Sequence, residues 1–447
     1  MATQPVPGPT NRELLGKITY IQSEPIQFLM DLSRRFGGVA RFQVFNLPVF
    51  SISHPDGVRH VLQEENRRYS KDTFQYNALS SITGRGLLTN DGASWLRQRR
   101  LAQPAFARQR LQALDQIVVP ATSRMLDTWQ SHARSGQPLD VDREMMRLTL
   151  EIVGKALFSI DLSQEASQIT QAVLTTLDHI VYKARNMIVP PEFIPTPRNL
   201  HFNRSMRVLD RAVYDLIAER RRSGQVGDDL LGMFLAARDE ETGQPMSDRL
   251  LRDEVMTMLV AGHETVASAL TWSWLLLAQN PRERDLAARE VREVLGERCP
   301  TSADLPSLPR VANIFSEALR LYPPAWIITR KAIQPDQISG FDIPKNALVI
   351  ISPYVVHRQE SFWPEPETFQ PDRFAQEPPH RHAYLPFGAG PRLCIGNTFA
   401  QIEAQLILAQ VLQRYSLDLV APPPQVESLV TLRPHGGLPM RIQPADN

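Results

Sequence analysis

Cysteine is scarce in this chain: Cys299 and Cys394 are the only two in 447 residues. Two cysteines cannot build a multi-bridge disulfide framework, and their scarcity fits a reducing compartment. An excess of charge of one sign is missing too. Lysine and arginine total 49 against 48 acidic residues, a net charge of +1, so no global field favours nucleic acid. No apolar run approaches the ~18 residues of a spanning helix. The polar, proline-bearing start, residues 1–12, carries no signal or anchor pattern and reads as loosely ordered. The expectation is a cytoplasmic protein without a membrane anchor. Internal repeats, low-complexity tracts and flavin or nicotinamide fingerprints are all lacking, so any electrons must come from a separate protein.

What is present is a large apolar fraction, 43%, and 36 prolines. The prolines cluster at 190–191, 195–197, 364–366 and 422–424, marking kinks and turns of an irregular chain rather than a linker. Residues 38–53 alternate and are rich in valine and phenylalanine, which predicts a β-hairpin, and Pro55 opens a short helix over 56–63. From about 106 to 300 the pattern is mostly helical, with Met146, Leu150, Val153 and Leu157 on one face. A second β region follows at 326–352, with strands near 327–333 and 348–352. Strand pieces at both ends of a helical middle must pair across the chain. The fold class is therefore mainly α with a small β lobe, in one domain over 1–447.

Ten residues, Phe387-Gly-Ala-Gly-Pro-Arg-Leu-Cys-Ile-Gly396, place the lone Cys394 between a glycine-rich turn and a predicted helix over 395–414. Each has a task if Cys394 is the thiolate ligand of a haem iron. Gly390 and Gly396 remove Cβ atoms where the backbone passes a flat macrocycle. The helix start favours thiolate over thiol. Arg392 can reach a haem propionate, and Phe387 can cover the sulfur from water. The competing reading is a buried structural cysteine beside a helix start. Against it, the pattern Phe-x-x-Gly-x-Arg-x-Cys-x-Gly fixes four further positions. This stretch resembles the haem-binding loop of the cytochrome P450 superfamily, which implies haem b with its iron ligated axially by Cys394.

A predicted helix over about 247–280 contains Ala261-Gly-His-Glu-Thr265. Gly262 in a helix interior costs roughly 1 kcal/mol against alanine, so it needs a reason. Ala261 and Gly262 leave a groove for a diatomic ligand. Thr265 can bond back to the Ala261 carbonyl, and Glu264 offers a carboxyl to pass protons inward from solvent. An exposed glutamate and a tolerated threonine in an ordinary amphipathic helix are the alternative. The segment is similar to the family's oxygen-side motif, which implies Thr265 and Glu264 as catalytic residues. His263 falls at its variable position and reads as a helix-face residue, without a metal partner.

Glu317 and Arg320 lie three apart on one helix face. The family's Glu-x-x-Arg motif implies an inward pair joined by a later arginine, here Arg373. Trp95 and Arg99 resemble the family's Trp-x-x-x-Arg pair that donates to haem propionates, with Arg330 as a third partner. Arg97, Arg99, Arg100, Arg108 and Arg110 make this region basic in a neutral chain. The resemblance implies an acidic electron donor such as ferredoxin, with its reductase, docking there. Segments near 73–90, 174–195, 255–265, 325–329 and 428–433 match the family's pocket lining. They are apolar with scattered hydroxyls, which favours a large lipophilic substrate beside O2. The proline-bearing stretch 186–203 reads as a lid over the entrance.

The likeness covers nearly the whole chain and implies a monomeric haem-thiolate monooxygenase. Stretches at 73–76, 83–88, 259–272, 318–327 and 431–439 are similar to a thermophile branch of the family that hydroxylates β-carotene rings, while 190–250 departs from it. A fatty acid or terpenoid hydroxylase, an H2O2-dependent peroxygenase and a non-catalytic haem sensor remain the alternatives.

Overall fold

The computed structural model describes residues 5–44, 46–160, 166–186, 189–224, 227, 229–238 and 243–445. Two residues of the predicted lid, 187 and 188, lie outside them. The chain divides into two compact units. One comprises Met1–Asn77 with Ser316–Cys394, the other Ala78–Phe315 with Ile395–Asn447.

The first unit is built on a five-stranded sheet. Its strands are β1 (Val39–Val44), β2 (Leu47–Ile52), β3 (Tyr69–Ser70), β4 (Ile328–Ala332) and β5 (Leu348–Ile351), in the order β1-β2-β5-β4-β3. The alternation in 38–53 does make a hairpin, with Val39 opposite Ile52. The distant β region pairs onto it: β2 runs parallel to β5, Phe50 beside Val349, and β4 runs antiparallel to β5. All four residues of β5 are buried, as a central strand covered on both faces requires. Phe50, Ile52, Val349 and Ile351 join Val58, Val61 and Leu385 in one core. The helix predicted over 56–63 has two parts, an α-helix at Pro55–Arg59 and a π-helical turn at His60–Glu64. Ahead of the sheet, the Arg41 N–H donates to the Pro7 carbonyl at 2.8 Å, and Thr10 and Glu13 form a capping box on Asn11–Leu15.

A buried charge cluster holds the segment that leads to Cys394. Glu317 and Arg320, on the helix Pro309–Leu321, are fully buried and pair through two bonds of 2.7 and 2.8 Å. Arg373 approaches Glu317 at 3.4 Å, as the motif implied, and the Gln370 N–H donates to the same carboxylate at 2.9 Å. Arg320 also donates to the carbonyls of His357, Pro366 and Thr368. His357, fully buried and pushed down to about 3 chiefly by that burial, stays neutral. It bridges the Arg320 carbonyl to the Leu385 N–H, two residues before Phe387. Side chains far apart in sequence thus fix where the cysteine loop begins.

The second unit is mainly helical around Asp248–Gln279, a 32-residue helix capped by the Ser247 hydroxyl. Its predicted ends are right to one residue. Helix Val141–Phe158 lies against it and buries Met146, Leu150, Val153 and Leu157, the face seen in the sequence. Small sheets complete the unit: Leu139–Asp140 with Pro439–Pro444 and Tyr415–Leu419, and a hairpin of Val426–Ser428 with Leu432–Pro434. Among the described residues, no helix is long and apolar enough to cross a membrane.

Candidate active site

The cysteine loop is a tight backbone structure. Gly390 opens a 3-10 turn through Arg392, and the Cys394 N–H closes the loop on the Phe387 carbonyl at 3.0 Å. Cys394 is exposed, and Phe387 and Arg392 are half-buried. Gly390 has φ +65°, and a Cβ there would collide with the carbonyl of Leu62 in the π-helical turn. A close approach within the chain itself, the backbone crossing of Leu62, already requires glycine at 390. At Gly396 a Cβ would meet only Phe106, at 3.7 Å, so no protein atom demands glycine there. The helix expected from 395 begins at Asn397, with Gly396 as its N-cap.

Arg330 lies on β4, buried, and donates to the Tyr76 hydroxyl at 3.2 Å and the Thr329 carbonyl at 2.8 Å. Around it the expected pocket segments are knit together: Thr73 to Thr329 at 2.7 Å, Thr329 to Gln75 at 2.8 Å, and Gln75 to the Ile327 carbonyl at 3.2 Å. Tyr76 as the partner of Arg330 was not read from the sequence. Trp95 and Arg99 stand one turn apart on the helix Gly92–Ala102, both half-buried.

On the central helix the Thr265 hydroxyl donates to the Ala261 carbonyl at 2.7 Å, as expected. Gly262 differs from expectation. A Cβ there would press on Val153 at 3.1 Å, so helix packing, not only a groove for a small ligand, explains this glycine. His263 faces no solvent. It is fully buried, its ring nitrogens have no hydrogen-bond partner among the described residues, and burial pushes it down to about 3. From the sequence it reads as a helix-face residue, and the face it occupies is packed against neighbours, whereas Ala261, Gly262 and Thr265 of the same helix are half-buried.

Glu264 is buried, at 3% exposure, so it does not meet solvent directly. Its Oε1 accepts from the Thr431 hydroxyl at 2.9 Å. Burial raises its carboxyl to about 6, against the opposing pull of Arg433 and the Thr431 bond. Thr431, Arg433 and Asp142, which pairs with Arg433 and accepts from Thr271, were missed as neighbours of this carboxyl. The stretch 431–439 stood out in the sequence, but nothing linked it to Glu264.

The donor set fits a metal carried by a macrocycle. Among the described residues no group of three or more His, Cys, Asp or Glu could cage an ion, whereas one exposed thiol sits on a turn fixed by backbone bonds. Ligation of haem iron by a single cysteine thiolate defines the haem-thiolate class. Residues 6–440 match the cytochrome P450 family. Cyclooctatin synthase of Streptomyces melanosporofaciens is 37% identical, covering 92% of this chain and 89% of its own. Cyclooctat-9-en-7-ol 5-monooxygenase of the same organism is 32% identical over 98% and 94%. Pentalenene oxygenase of Streptomyces avermitilis is 33% identical over 91% and 90%. The chain belongs to the cytochrome P450 family: it is a monooxygenase whose cofactor is haem b, ligated through Cys394.

Proposed function

We propose that this enzyme hydroxylates a terpenoid-type lipophile, drawing electrons from a separate acidic donor such as ferredoxin with its reductase. The observation that carries the substrate class is the set of relatives, matched over nine-tenths of the chain, whose names specify pentalenene and cyclooctatin chemistry. The lining segments agree in character, apolar with hydroxyls at Thr73, Thr329 and Thr431. A carotenoid ring remains the narrower reading, resting on the stretches at 73–76, 83–88, 259–272, 318–327 and 431–439 alone.

When bound, the haem supplies oxygen activation assisted by electron donation from the thiolate. The chain supplies the rest. Cys394 presents its sulfur from a loop that two backbone bonds hold, and Phe387 would shield that sulfur from water once the haem is bound. By the family resemblance, Trp95, Arg99, Arg330 and Arg392 would hold the propionates, and Gly396 would leave room for the ring. Glu264, near neutrality in its affinity for protons, takes one up and gives it over. Thr265 presents a hydroxyl proton at Oγ1, and Ala261 beside it keeps the space open. Arg97 and Arg100, exposed on the Trp95 helix, draw the acidic donor. The chain works as a cytoplasmic monomer.

A spectral screen of polycyclic terpenes, carotenoids and fatty acids tests the reading. Terpene alcohols or hydrocarbons should convert the iron from low to high spin at micromolar concentration, and turnover should need ferredoxin and its reductase rather than peroxide. Shifts confined to fatty acids, or efficient peroxide-driven turnover, would reject it.

A further inference from the structure

Glu264, Ser268 and Trp272 recur every four residues along one face of the central helix, and all three bond the short strand Leu432–Pro434 or the residue just before it. The Thr431 hydroxyl donates to Glu264, while Ser268 and Trp272 both donate to the Leu432 carbonyl. The next residue of the strand, Arg433, is clamped from helix Val141–Phe158, by Asp142 through an ion pair and by the Met146 sulfur at 3.5 Å. Thr431 therefore has no freedom to slide relative to Glu264. Its side chain is 4% exposed, and its hydroxyl is the one hydrogen-bond donor among the described side chains recorded at the Glu264 carboxyl.

We infer that Thr431 is a positioning residue for the proton-handling carboxyl of Glu264. This rests on the acid–alcohol role proposed above. A carboxyl that must both hold and release a proton needs a partner suited to each state. A hydroxyl is that partner: it donates to the ionised carboxylate and accepts from the neutral acid, with no heavy atom moving. Lysine or arginine would favour only the anion, and an apolar residue only the acid. The other charged or titratable groups about Glu264 are His263 on its own helix, Arg433 on the strand and Asp142 on the neighbouring helix. None of them is recorded as a hydrogen-bond partner of the carboxyl.

The test titrates the Glu264 carboxyl band by infrared difference spectroscopy of the holoenzyme, the band being assigned by its loss in Glu264→Gln. In Thr431→Val the midpoint should rise by about one pH unit, since a bond favouring the anion is gone. More of the reducing equivalents should also leave as peroxide. Thr431→Ser should restore both. Thr431→Ala serves the same comparison if the valine variant loses haem. An unmoved midpoint, or a serine variant that behaves like valine, overturns the inference. A shifted midpoint combined with unchanged coupling in Glu264→Gln instead overturns the acid–alcohol reading, and the positioning role with it.

Discussion

Glu317 and Glu264 are both carboxylates buried on helices, and they are solvated by the protein in opposite ways. Glu317 receives two guanidinium bonds from Arg320, a backbone N–H from Gln370 and the approach of Arg373. Its lone pairs are spent, and the charge is locked. Glu264 has one hydroxyl partner and an arginine already engaged by Asp142. Its proton stays exchangeable near neutrality. The difference teaches that burial alone does not say what a carboxylate is for; the number and charge of its donors do. Glu254 stands between them, buried, accepting from the Leu87 N–H at 3.1 Å while its Oε1 has no partner among the described residues.

The sharpest way to break this contrast is to neutralise the locked member. Glu317→Gln leaves Arg320 charged and buried, and should cost about 3–5 kcal/mol, read by denaturant unfolding together with haem loss on heating. A cost below about 1 kcal/mol would show that the cluster is not a structural lock.

Glu254 gives the next largest effect, and its sign is opposite. Burial raises its carboxyl to about 8, so the folded state holds this proton more tightly than the unfolded one. That contribution is fully present below about 4.5 and is lost as pH rises through about 8. Glu254→Gln should match the wild type at low pH and become the more stable protein across that window. The gap should open at no more than about 1.4 kcal/mol per pH unit. Parallel melting curves across the range would refute the assignment. Removing the outer member of the cluster should matter least: Arg373→Gln leaves the Glu317–Arg320 pair intact and should cost about 1–2 kcal/mol in the same unfolding assay.

Much of this was legible in the sequence wherever the signal is local. The central helix was bounded by an N-cap serine and a terminal Asn-Pro, and the hairpin at 39–52 by its alternation. The cysteine loop carries five fixed positions within ten residues. Glu317 and Arg320 were readable as one helix face, and their third member only through family likeness. What was not legible depends on long-range packing. The Glu264 partner lies 167 residues away. Gly390 is a glycine because Leu62 of a π-turn crosses it, and at Gly262 a Cβ would press on the Val153 side chain. That the helix face carrying His263 is a buried one is a fact of tertiary structure that residue spacing does not encode.

The contrast between the two carboxylates is tested most directly by Glu264→Gln, with hydroxylated product counted per electron consumed at unchanged haem content. If the exchangeable proton of Glu264 serves oxygen activation, the variant keeps its melting temperature within a few degrees while electrons are diverted from product to peroxide and water. A variant that melts early and sheds haem, with full coupling in the molecules that remain, would put Glu264 beside Glu317 as a part of the scaffold.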